Sequence, residues 1–111
     1  MDENQSKVEN FDLMYLGYLL EELKKDKKQE LWIIGNNLDA AKAIWKRMQR
    51  HFKTVHVIPR FISNSSFSLD GLNPMNARIV LLDRWWQNKN AMRLLKEYIP
   101  LAKQCRQIGH I

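Results

Sequence analysis

An acid, a base and two indoles stand in a row at Asp83-Arg84-Trp85-Trp86, directly after the apolar run Ile79-Val80-Leu81-Leu82. A guanidinium grips a phosphate or carboxylate through paired N–H donors, and an exposed indole stacks on a nucleobase. Two other short segments join this corner if they too end strands of one parallel sheet: Gly35-Asn36-Asn37 and Pro59-Arg60. Arg60 and Arg84 would then share an anion, with help from the free N–H groups of a helix starting after Asn37. The candidate ligand site is therefore Asn36, Asn37, Arg60, Asp83, Arg84, Trp85 and Trp86. It asks for no catalytic group, no cofactor and no metal.

A second set of residues is suited to polyanions. Lys42, Lys46 and Arg50 recur at helical spacing in one segment, and Lys89, Arg93 and Lys96 do so in another. If both helices flank the same sheet face, their outer sides form one basic surface. Its phosphate contacts would be salt-sensitive and independent of base sequence. The chain has 18 Lys and Arg against 12 Asp and Glu, a formal charge of +6, which favours acidic partners.

Several chemistries find no support. Gly35 stands alone after its strand, with neither the dinucleotide-binding glycine pattern nor a phosphate loop ending in Gly-Lys-Ser/Thr. Serines 63, 65, 66 and 68 lie outside any nucleophile elbow and read as loop residues. His51, His56 and His110 are scattered, and Cys105 is the lone cysteine, so no metal-ligand spacing exists. The strand ending Val80-Leu81-Leu82-Asp83 resembles that of phosphoacceptor receiver domains. Those domains place two acids after the first strand, where this chain has Asn36 and Asn37, and they have more βα units. The resemblance is one of architecture only.

The elements that must position these groups follow from periodicity. Val8, Phe11, Met14, Tyr15, Tyr18, Leu19 and Leu23 form a helical stripe from Ser6 or Asn10 to about Lys25, and Leu13, Leu16 and Leu20 widen it. A stripe that wide is able to meet both the sheet and a second subunit. Leu31 to Ile34 reads as a buried strand. A helix capped by Asn36 or Asn37 follows, with Leu38, Ala41, Ile44, Trp45, Met48 and Phe52 inward. Thr54 to Ile58 reads as a second strand stopped by Pro59, and residues 78 to 82 as a third. Asn88 or Asn90 should cap a last helix carrying Ala91, Leu94, Leu95, Tyr98, Leu101, Ala102, Cys105 and Ile108, kinked at Pro100 and ended by Gly109. Residues 60 to 76 have no clear period, and so form a functional loop or hide a short element.

The expected fold is a small Rossmann-like α/β domain of two or three layers, ordered α-β-α-β-loop-β-α. Its three parallel strands should lie in the order 2-1-3. With 111 residues, 45% of them hydrophobic, the chain makes one domain over residues 7 to 111 behind a frayed tail of residues 1 to 6. A lone cysteine, a polar start and no apolar run of roughly 18 residues point to the cytoplasm and away from membranes. The expected function is a non-catalytic module that binds nucleic acid or a nucleotide or phosphate ligand. The alternative is a regulatory interaction domain working as a homodimer. A third reading is a small enzyme with Asp83 or His56 as its acid–base group.

Overall fold

The protein, a computed structural model, is described over residues 3–53 and 56–109, with side chains from Phe11 onward. Helix α1 runs Glu3–Lys25, strand β1 Glu30–Ile34, helix α2 Leu38–Phe52, and strand β2 only Arg60–Phe61. Strand β3 spans Ala77–Leu81. Helix α3, Ala91–Arg93, continues through a π turn at Leu94–Tyr98 and a 3-10 turn at Ile99–Leu101, and strand β4, Gln104–Gln107, closes the chain. All four strands are parallel, in the order β2-β1-β3-β4. The α/β class and the central 2-1-3 order follow the sequence expectation. The sheet has one strand more than expected.

Residue alternation along β1 splits the core in two. Leu31 and Ile33 pack with Leu16, Leu19 and Leu23 of α1 and with Ala41, Trp45 and Met48 of α2. Trp32 and Ile34 face the opposite way and pack with Ile79, Ala91, Leu94 and Tyr98. The result is a three-layer sandwich, with α1 and α2 on one face and α3 with residues 62–76 on the other. Right-handed crossovers require this. The step from β1 to β2 moves one way along the sheet, and the steps to β3 and β4 move the other way, so their connections cover opposite faces.

Several boundaries differ from expectation. The helix of α1 begins at Glu3, so Glu3 to Ser6 are helical rather than tail, while Met1 and Asp2 lie outside the described residues. The expected strand over 54–58 does not form where it is described. His56 sits in a turn and Ile58 is 92% exposed, whereas Thr54 and Val55 lie outside the described residues. Pro59 has no N–H to give, and pairing starts just past it, at Arg60 opposite Trp32. The last helix also ends early. Pro100 cannot donate to the helix before it, and Ile99 N–H reaches back to the Leu94 carbonyl in a π-type bond. At Ala102 the backbone turns extended (ψ 152°), and residues 104–107 return beside β3 as a fourth strand. Cys105 therefore lies in an edge strand, not on a helix, and Gly109 follows that strand.

The segment over 62–76 takes the place of a covering helix. Ile62 and Leu69 are fully buried, and Tyr98 Oη donates to the Leu69 carbonyl at 2.9 Å. Its serines organise turns: Ser68 Oγ accepts from Ser63 N–H, Ser63 Oγ from Ser65 N–H, and Ser65 Oγ from Phe67 N–H. A short 3-10 turn at Pro74–Asn76 leads into β3.

Candidate functional site

The carboxyl ends of β1 and β3 are neighbours: Ile34 pairs with Leu81, and Leu82 N–H donates to the Ile34 carbonyl at 2.9 Å. Crossovers reverse direction between these two strands, the place where open α/β sheets hold their ligands. Here the crevice is filled by asparagines. Asn88 is 3% exposed, and its Nδ2 donates to the carbonyls of both Gly35 and Ile62 at 3.1 Å, while its Oδ1 accepts from Asn90 N–H at 2.9 Å. Asn90 Nδ2 donates to the Ser63 and Ser65 carbonyls at 2.8 Å. Asn64 then links the Asn36 carbonyl to Lys89 N–H. Three loops are thus laced together through side-chain amides, those of Asn64 and Asn88 both donating and accepting and that of Asn90 donating twice. Asn90 does stand at the N-cap position of α3, but it makes no side-chain cap bond, and its amide N–H groups go to the Ser63 and Ser65 carbonyls instead. The signal was available: asparagines two apart at a strand–helix junction, where several carbonyls end without partners.

The candidate residues separate into those that stay at this end and those that do not. Asp83 and Arg84 are exposed beside the Gly35 loop, and among the described residues neither has an ion-pair partner. Trp86 is 54% exposed, while Trp85 is 9% exposed and belongs to the α3-side core, so one indole is available and the other is structural. Asn37 caps α2, its Oδ1 accepting from Ala40 N–H at 2.8 Å. That bond uses one of the N–H groups expected to hold an anion. Arg60 leaves the site. It starts β2 level with Trp32, and its guanidinium lies 3.8 Å from Glu30 at the opposite end of β1. An anion shared by Arg60 and Arg84 is therefore not formed, because β2 is two residues long and carries Arg60 at its beginning.

Arg84 has a positive φ of 59° with ψ 23°, the left-handed region that disfavours side chains with a Cβ. Such a conformation costs about 1 kcal/mol and persists where something else needs the side chain. Arg84→Gly should therefore raise the urea midpoint by an amount worth about 1 kcal/mol while deleting the guanidinium. Equal stability of the two proteins would mean that the backbone there carries no strain.

The basic sets also separate. Lys42, Lys46 and Arg50 are exposed on α2, and Lys53 follows in a left-handed cap. Lys89, in the turn before the last helix, and Arg93 and Lys96 on it belong to the opposite sheet face, so the two sets do not merge into one surface. Arg93 is further committed to Asp70 (3.3 Å) and Glu97 (3.0 Å). By contrast, Lys42, Lys46, Arg50 and Lys53 have no ion pair among the described residues. Residues 38–53 hold five of the chain's 18 Lys and Arg against one acid, Asp39.

Sequence reasoning passed over Arg78. This cation in the middle of the sheet is 5% exposed, and its Nε and Nη1 donate to Gln104 Oε1 (2.8 Å) and Gln29 Oε1 (2.9 Å). Tyr15 Oη donates to the same Gln104 oxygen, and burial pushes its phenol above the ordinary range. Burial likewise pushes the Cys105 thiol up, which disfavours the reactive thiolate. No group of three His, Cys, Asp or Glu among the described residues is able to hold a metal, and no described helix is long and apolar enough to cross a membrane. Compared with protein-family models, with curated proteins and with solved structures, the chain matches none.

Proposed function

We propose that this protein is a non-catalytic module that holds nucleic acid through its phosphates along the outer face of α2. The observation that carries the reading is the row Lys42, Lys46 and Arg50 on one side of one helix, with Lys53 in the cap just past it: all four are exposed and without ion-pair partners among the described residues. Cations held in internal pairs are largely neutralised, whereas free ones release counterions when they meet phosphates. From Lys42 to Arg50 the row spans about 12 Å along the helix, matching the rise of roughly three to four base pairs. Ala41, Trp45 and Met48 anchor the other side of α2 in the core, so the row is presented on a rigid element.

The Arg84–Trp86 corner extends this surface. Leu82 N–H on the Ile34 carbonyl and Asn88 on the Gly35 carbonyl place it beside the loop that starts α2. A half-exposed indole there offers a stacking face to an unpaired base. The test is fluorescence anisotropy of labelled single- and double-stranded oligonucleotides at low and moderate salt. Binding should fall steeply with salt, and an absence of binding at low salt would overturn the reading. Trp86→Ala should weaken single-stranded binding about tenfold, with duplex binding less affected and the urea midpoint unchanged. A lowered midpoint would reassign Trp86 to the scaffold.

A further inference from the structure

The inward side of α1 is accounted for by the sheet and by α2. Leu16, Leu19 and Leu23 are buried in the core, and Gly17, Leu20 and Lys24 line the cleft shared with Phe52 and Lys53 of α2. A second apolar stripe is left over. Phe11, Met14 and Tyr18 are 63%, 68% and 58% exposed, on a side of α1 about a third of a turn away from α2. Three large side chains this open on one helix face amount to a few hundred Å², the size of the largest apolar patch on a typical monomer, and such patches often mark a contact surface. Their spacing of three and then four residues is that of a helix–helix seam.

We infer that this stripe is a self-association surface, on which α1 of a second copy lies antiparallel. Charge selects both the occupant and its direction. Along α1 the same three-and-four spacing continues to Lys7 before Phe11, and to Glu21, Glu22 and Lys25 after Tyr18. With the two-fold axis near Met14, Phe11 lies level with Tyr18 of the copy, and Lys7 level with Glu22. A parallel pair would align Lys7 with Lys7, Glu21 with Glu21 and Lys25 with Lys25, which is unfavourable at each level. The helix is therefore complementary to itself in one direction only. A two-fold contact on the same patch of both subunits is also closed, so association stops at the dimer. It leaves the outer side of α2 uncovered on each copy, and it does not depend on what α2 binds.

Sedimentation of the full chain, over a concentration series reaching the high micromolar range, reads this directly. The expected result is a monomer–dimer equilibrium that Met14→Glu weakens at least about thirtyfold, with an unchanged circular dichroism spectrum. Should Met14→Glu fail to fold, Tyr18→Lys reads the same surface. Direction is read by disulfide trapping in a Cys105→Ala background. A mixture of Phe11→Cys and Tyr18→Cys proteins should cross-link, and neither alone should. A chain that stays monomeric throughout, a dimer that survives both charge substitutions, or self-cross-linking of the single variants would each overturn the inference. A monomer whose stripe is covered by another protein falls under the first of these.

Discussion

Asn88→Ala is expected to be the most damaging single substitution at the carboxyl end of the sheet, with a loss of about 3 kcal/mol. Its side chain makes three hydrogen bonds, donating to Gly35 O and Ile62 O and accepting from Asn90 N–H. All three partners are backbone groups, and truncation leaves them without this amide in a site that is 3% exposed. The loops after β1 and β2 and the start of α3 are then no longer held together. A urea titration read by tryptophan fluorescence should show the midpoint fall with little change in slope. Asn88→Asp sharpens the test. It keeps the shape and the acceptor but replaces the donor with an oxygen facing two carbonyls. That environment raises the carboxyl's folded-state pKa above its unfolded value, so the penalty is present at neutral pH and shrinks as pH falls through the folded value. Asn88→Asp should therefore be at least as unstable as Asn88→Ala at pH 7 and recover relative to it on acidification. If both variants unfold near the parent's urea midpoint, the amide lacing is not what closes the crevice.

Much of the scaffold was legible because it obeys simple periods. Leu31-Trp32-Ile33-Ile34 and Ile79-Val80-Leu81 are continuous apolar runs, which a strand buried on both faces requires. Trp45, Met48 and Phe52 mark the inner side of α2 at helical spacing. The fourth strand was not legible, because Gln104-Cys105-Arg106-Gln107 is an edge strand and its residues are half-buried or exposed. Its outward groups find work nearby: Arg106 pairs with Asp12 at 3.5 Å and lies 4.3 Å from the Tyr15 ring centre. Ala102, Cys105 and Ile108 fall three residues apart by coincidence and so mimicked a helix. The split of the basic helices was, by contrast, implied by the topology itself. In a right-handed sheet ordered 2-1-3, the connections leaving strands 1 and 3 toward opposite edges must cover opposite faces. The candidate site was half legible. Arg84 and Trp86 lie at the strand end as expected, but nothing in residue type showed that Trp85 would turn inward or that asparagine amides would occupy the crevice.

Reversing the α2 row is expected to have the largest effect on binding. In Lys42→Glu/Lys46→Glu/Arg50→Glu each exchange removes two units of charge, so the formal total falls from +6 to zero. Oligonucleotide affinity at low salt should fall at least about a hundredfold, and the dependence of log affinity on log salt should flatten by roughly three units, one per lost phosphate contact. Net charge alone could produce part of this loss, since a neutral protein no longer attracts a polyanion from a distance. The control is Lys89→Glu/Lys96→Glu/Lys103→Glu, which reaches the same total with exposed residues outside α2. If α2 makes the contacts, the control loses the general attraction but keeps most of the salt slope, because counterion release counts the phosphates actually touched. If both triples lose affinity and slope alike, binding is a property of overall charge and α2 is not an interface. Neither triple touches the core, since all six side chains are exposed, so both proteins should unfold near the parent's urea midpoint.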